Sequence, residues 1–221
     1  LGCGDYKELR RLVADQNVSE GPAVKLMQTL HSEEAFTVDN WFLRQQMYLQ
    51  KTLEGLEQGE FQKAVSALCS AHRVFIHAKS ASSSLGQLLM FRLRRLGVQA
   101  GLLPCGGAAG REGRSPAMAG DLVIMFSFSK LSQEGKMILG YRKEAGYRTL
   151  SFISRAFVPE KERADIQLFA YRGEAKEYHS MTAPAALVDA LVVAVSEQMG
   201  EASVENLSHL YHMKKTYAPN R

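Results

Sequence analysis

The sequence is short of the residues that mark most of the obvious chemistries. Cysteine occurs three times in 221 residues, at Cys3, Cys69 and Cys105. The number is odd and no two cysteines form a C-x-x-C. Neither a disulfide framework nor a zinc site is supported, and idle thiols in a reducing compartment are expected. No stretch reaches the roughly 18 continuous apolar residues of a membrane span. No basic-then-apolar leader opens the chain either, so a cytoplasmic protein with no membrane partner is expected. The chain starts at Leu1 in mid-pattern and reads as a piece of something longer. There is no G-x-G-x-x-G after the first apolar strand and no G-x-x-x-x-G-K-[ST], which leaves a dinucleotide or nucleoside triphosphate unsupported. No G-x-S-x-G elbow exposes a serine nucleophile. Nor is there a strong excess of one charge. With 27 Lys and Arg against 23 Asp and Glu, the net +4 permits an anionic ligand or nucleic acid and requires neither.

What is present is a regular grammar. Residues 1–16 carry Asp5 as a helix cap answered by Glu8, then Leu9, Leu12 and Val13 at helical spacing. One short helix cannot bury such a stripe alone. Residues 17–35 are polar and mixed, broken by Gly21-Pro22, and read as a linker with one short helix. Thr37 or Asp39 then caps a helix to about Glu57, ended by Gly59, and a second helix runs from about Glu60 to Ser70. From Arg73 the pattern alternates. Strands are expected at Arg73–His77, Val98–Leu103, Asp121–Phe126, Tyr147–Ser154 and Asp165–Tyr171. Helices lie between them, closed by Gly97 and by Gly146, with a loop from Pro104 to Gly120. Two helices, about Ala183–Met199 and Val204–Lys214, close the chain. Strands separated by helices of ten or more residues imply right-handed β-α-β crossovers, hence an α/β fold with a parallel sheet. Ligands of such sheets sit outside the carboxyl ends of the strands.

The first and third strands both end in small hydroxyl residues. His77-Ala-Lys-Ser-Ala-Ser-Ser-Ser84 follows the first, and Ser127-Phe-Ser-Lys-Leu-Ser-Gln-Glu134 the third. A helix start offers unpaired N–H groups and partial positive charge, and neighbouring hydroxyls add donors suited to phosphate or sugar. On adjacent strands the two turns would form one anion cradle. The plainer reading is that these serines only cap helices.

At these residues the chain resembles a family. From Arg73 to about Met199 it looks like a SIS (sugar isomerase) domain, whose pattern is a strand followed by G-x-G-x-S and later a strand followed by S-x-S-G-x-T. The first pattern falls on Ala78-Lys79-Ser80-Ala81-Ser82, the second on Ser127-Phe128-Ser129-Lys130-Leu131-Ser132, and Arg163-Ala164-Asp165 resembles the K-x-A-D before the fifth strand. The resemblance implies a three-layer α-β-α sandwich with a five-stranded parallel sheet, flavodoxin-like, preceded by an α-helical linker. It implies a sugar phosphate held by Ser80, Ser82, Ser127, Ser129, Lys130, Ser132 and Glu177, with no metal and no cofactor. Family glycines are replaced by Ala78, Ser80 and Lys130, and each side chain narrows the backbone's approach to a ligand. Lys130 either contacts the phosphate or fills the pocket with its stem.

Leu1-Gly-Cys-Gly-Asp-Tyr-Lys-Glu-Leu further resembles the end of the helix-turn-helix domain of RpiR-type transcriptional regulators. That order implies a helix-turn-helix tail over residues 1–16, a helical linker over 17–58 and a SIS domain over 59–221. It implies a sugar-phosphate-responsive, DNA-binding regulator that is not an enzyme, works as a homodimer or dimer of dimers, and contacts DNA through a domain mostly absent here. Lys7, Arg10 and Arg11 either touch DNA phosphates or form a solvated face, and Arg92, Arg94 and Arg95 pose the same choice beside a dimer contact. His209 and His212 lie one helical turn apart with no third metal ligand in view. The rival readings are a phosphosugar aldose–ketose isomerase, with Glu177, His179 or Glu134 as its base, and a SIS domain with a vestigial site used only for dimerisation.

Overall fold

A computed structural model describes residues 21–30, 36–103 and 117–217 of the chain. The first-domain tail expected over residues 1–16 therefore lies outside the described residues, as does most of the loop after the second strand. The described part forms two compact units. One comprises the residues up to Gln46 together with Gly173–Ser180; the other holds Met47–Arg172 and the residues from Met181 onward.

In the first unit, α1 (Pro22–Leu30) starts at the proline that the sequence suggests as a breaker. Proline suits the first helical position because its missing N–H has no partner there and its φ is already helical. Thr29 is the buried residue of α1, donating to the Lys25 carbonyl at 2.9 Å and accepting from the Tyr178 N–H at 2.8 Å. Helix α2 (Val38–Gly55) opens with Thr37 as cap, its Oγ1 accepting from Asn40 N–H at 3.1 Å. Trp41 packs against Tyr178, ring centroids 6.0 Å apart.

In the second unit α2 is followed by α3 (Gln58–Ser70), β1 (Val74–His77), α4 (Ser82–Arg95), β2 (Ala100–Leu102), β3 (Leu122–Phe126), α5 (Gln133–Ala145), β4 (Arg148–Ile153), a 3₁₀ turn (Glu160–Glu162), β5 (Ile166–Phe169), α6 (Thr182–Met199) and α7 (Glu201–Tyr217). Gly59, expected to end a helix, instead lies in the first turn of α3, and α7 starts earlier and runs further than its apolar pattern. The five strands are all parallel, in the order β2-β1-β3-β4-β5.

The two-residue period of a strand sorts the side chains to the two faces. Ile76, Leu122, Ile124, Phe126, Leu150, Phe152 and Leu168 face one way and join Leu68 of α3, Leu89 and Leu93 of α4, and Leu187, Val188 and Leu191 of α6. Val123 and Met125 face the other way and pack with Leu131, Ile138 and Leu139 around α5. Helices thus cover both faces, as an all-parallel sheet requires, and the result is an α/β sandwich. Helix α6 is long and apolar enough to cross a membrane by composition, but its apolar side is spent on this core, with Leu191 and Val195 wholly buried. Asp165, in the family-like Arg-Ala-Asp, ties β4 to β5: its Oδ2 accepts from both the N–H and the hydroxyl of Thr149, at 2.8 and 2.7 Å.

Candidate functional site

Strands β1 and β3 are neighbours although β2 lies between them in sequence. The connection from β1 passes through α4 on one face to β2 on the far side; that from β3 passes through α5 on the other face to β4. The two chains leave in opposite directions and open a crevice at the carboxyl ends of β1 and β3, the place where doubly wound sheets bind ligands. His77 ends β1 and lies opposite Met125 of β3; Ser127 is the first residue past β3. The sheet topology therefore puts both serine-rich turns at one crevice.

The first turn keeps its shape in spite of the missing glycines. Ser80 has φ +53°, the one positive φ outside glycine among the described residues. It stands where the family pattern has a glycine, so the left-handed turn survives under a residue that adopts it at some cost. Ala78 is accommodated from the other side: a Cβ at Gly86 of α4 would meet the Ala78 Cβ at 2.8 Å. The bare Gly86 is what lets α4 lie close to the turn. Ser83 and Ser84 spend their hydroxyls on backbone carbonyls, of Ala78 and Ala81. No side chain caps α4, since the cap position is Ala81. Among the described residues the Ser80 and Ser82 hydroxyls make no hydrogen bond, so helix capping does not explain them.

The second turn is fixed by aromatic packing. Phe126 stacks on Phe152 at 4.6 Å and tilts against Phe128 at 5.9 Å, while the Arg172 guanidinium lies 4.4 Å above the Phe128 ring. Ser127 N–H donates to the Phe152 carbonyl at 2.9 Å, and Ser154 N–H to the Phe128 carbonyl at 3.1 Å. Ser127 is buried and Ser129 exposed, and among the described residues neither hydroxyl is hydrogen-bonded. Lys130 is exposed in the same turn with an ordinary backbone φ. Ser132, in contrast, is a working cap: its Oγ accepts from Gly135 N–H at 3.0 Å.

A chain of polar groups joins the two turns. His77 Nε2 lies 3.1 Å from Ser132 Oγ, and Lys79 Nζ lies 2.8 Å from Glu134 Oε1. The Lys79 ammonium, the main-chain N–H of Glu134 itself and the Ser132 hydroxyl all favour the ionised Glu134 carboxylate. Ser132 Oγ accepts from Gly135 N–H and also meets the His77 ring. Burial pushes the His77 imidazole below its ordinary value; Glu134 opposes that push and Lys79 adds to it. Glu134 is held at about 2, chiefly by the Lys79 hydrogen bond and then by its own backbone N–H. At neutral pH the chain is therefore a neutral imidazole, a hydroxyl, a carboxylate and an ammonium in line.

The structure thus brings Ser80, Ser82, Ser127, Ser129, Lys130 and Ser132 onto two turns of one crevice. Glu177 belongs to the other compact unit, where its carboxylate accepts from the Glu174 N–H at 3.2 Å. His179 lies in that unit too, 3.3 Å from Lys25 Nζ. Sequence reasoning missed His77 altogether and passed over Lys79 as a ligand contact. A histidine closing an apolar strand carries no motif, and nothing in the sequence pairs residues 55 positions apart. The basic cluster on α4 is used within the chain: Arg92 pairs with Asp189 at 3.1 Å, Arg94 donates to the Ala100 carbonyl, and Arg95 lies over Phe91. Among the described residues no group of three His, Cys, Asp or Glu could hold a metal ion.

No family model matches the sequence, and no curated protein matches it significantly. Solved structures do match the fold. The sugar isomerase domain of an RpiR transcription factor from Sphaerobacter thermophilus superposes with a TM-score of 0.69 at 22% identity, over 77% of this chain and 96% of that one. The Vibrio vulnificus NanR protein, complexed with ManNAc-6P, gives 0.69 at 19% identity over 99% of this chain and 78% of its own. The phosphoheptose isomerase GmhA from Neisseria gonorrhoeae gives 0.57 at 14% identity over 72% and 97%. The fold is that of SIS domains, shared by regulators and isomerases alike.

Proposed function

We propose that this chain is the phosphosugar-sensing part of an RpiR-type, DNA-binding transcriptional regulator that acts as a dimer in the cytoplasm and performs no chemistry of its own. The observation that carries the reading is the pair of strand-to-helix turns at the β1/β3 crevice, where four serine hydroxyls, Ser80, Ser82, Ser127 and Ser129, lack protein partners among the described residues. Hydroxyls and main-chain N–H groups gathered at two helix starts suit a phosphate and its sugar. The ligand then favours one arrangement of the two subunits and so of the DNA-binding heads they carry. That two of the structures sharing this fold are regulators, one of them complexed with a phosphosugar, supports the assignment.

The isomerase reading draws on the likeness to GmhA, but the carboxylate at this crevice is poorly suited to it. A general base works best with a pKa near the operating pH, and Glu134 is held at about 2. The regulator reading is tested on the full-length protein by measuring its affinity for its own promoter DNA with and without a panel of sugar phosphates. A change with one of them is expected; identical affinity with all of them would sink the reading.

A further inference from the structure

We propose that Glu134 is a built-in competitor for this crevice, an internal carboxylate occupying the anion cradle, and that Lys79 is the ammonium an incoming phosphate takes over from it. The inference rests on reading the crevice as the phosphosugar site and names two residues that reading does not use.

The geometry is that of an occupied anion site. Glu134 lies in the first turn of α5, where partial positive charge and unpaired N–H groups accumulate. Its carboxylate takes the Lys79 ammonium at 2.8 Å, and its own main-chain N–H and the Ser132 hydroxyl help to hold it ionised. These are three kinds of donor that a phosphate would use: a main-chain N–H at a helix start, a serine hydroxyl and an ammonium. Lys79 belongs to the turn after β1 and Glu134 to the helix after β3, so the pair spans the crevice. The serine hydroxyls without partners lie on the same two turns.

A phosphate monoester carries up to two negative charges near neutral pH. Placed among these donors with Glu134 still in position, it would meet an ionised carboxylate, and like charges at such range repel. Glu134 has to turn out as the ligand enters, and both partners have a path. The side chains of Lys79 and Glu134 are 42% and 24% exposed, so rotation about side-chain bonds suffices. His77 and Ser132 stay behind and hold the two turns in register. Glu134 thus sets a threshold: weak anions and inorganic phosphate do not displace it readily, whereas a sugar phosphate that also bonds to the serines does.

The test is calorimetric titration of the whole chain at pH 7.5 with ManNAc-6P and, separately, inorganic phosphate. The proteins are the wild type, Glu134→Gln, Lys79→Met, the double variant and Ser129→Ala. Glu134→Gln is expected to bind about tenfold more tightly than wild type, and Lys79→Met about tenfold more weakly, the size of one charge-assisted contact. In the Lys79→Met background the gain from Glu134→Gln should differ from that in wild type, because only the like-charge repulsion is then removed and no ammonium is released. Should Glu134→Gln fail to melt cooperatively, Glu134→Ala removes the same charge and must show the same tightening. If Glu134→Gln binds like wild type while Ser129→Ala loses binding, the phosphosugar reading stands and the competitor falls. If no protein, Glu134→Gln included, binds either probe or any other sugar phosphate of the panel, both fall. Binding by Glu134→Gln where wild type shows none is the strongest support.

Discussion

His77 Nε2 and Ser132 Oγ lie 3.1 Å apart, one at the end of β1 and the other at the start of α5. That contact ties the two turns of the crevice together. Burial pushes the His77 imidazole below its ordinary value, so it is neutral at neutral pH.

Stability should therefore fall on acidification. In the unfolded chain His77 titrates near its ordinary value of about 6.5, and in the folded chain below that. Between the two the unfolded state binds more protons, so stability is fully present above about pH 6.5 and is lost as the pH drops towards the folded value. Urea melts between pH 7.5 and 5 should show a steeper loss for wild type than for His77→Gln. Equal slopes would mean that His77 does not report the pH.

Gly86 should not tolerate a methyl group while Ala78 is present. The added Cβ would meet the Ala78 Cβ at 2.8 Å, and overpacking of this kind costs about 1–3 kcal/mol. Gly86→Ala is expected to lower stability by that amount, and Ala78→Gly in the same chain to restore most of it. An additive double variant would show that the two residues do not press on each other.

Ser80→Gly should stabilise the chain. The residue sits at φ +53°, and relieving a left-handed serine, less the added chain entropy of glycine, is worth about 0.5–1 kcal/mol. A rise in the denaturation midpoint at unchanged slope is the expected result. The same variant restores the family's glycine, so it also tells whether the bare turn binds sugar phosphate more tightly.

An isomerase assay with aldose and ketose phosphates should detect no turnover at pH 7.5, as a sensor that performs no chemistry of its own requires. Turnover that disappears in Glu134→Gln would overturn the regulator reading in favour of the enzyme.

Much of the fold could be read from residue order because its cause is local. The apolar runs around Ile76, Ile124 and Leu150 and the glycine at Gly146, with φ +78°, announce buried strands and a helix end wherever they occur. The two serine turns could be read for the same reason. Three features were not legible. Pro22 reads as a breaker from its neighbours and opens α1 instead, because the start of a helix needs no N–H from it. Which serines are spent and which remain depends on distances across the sheet: Ser132 is a cap and Ser82 is not, although each sits beside a helix start. The Lys79–Glu134 pair joins residues on different crossovers, and such partners come together only when β1 and β3 become neighbours.

The most direct measurement is the thermal stability of the purified chain against a panel of sugar phosphates and their unphosphorylated sugars, with Ser129→Ala alongside. A ligand present at a hundred times its dissociation constant stabilises the native state by about 2.7 kcal/mol, a shift easily seen. The account predicts such a shift with one sugar phosphate, none with the bare sugar, and its loss in Ser129→Ala. No shift with any member of the panel, in wild type or in Glu134→Gln, would contradict it and leave the crevice without a phosphosugar to bind.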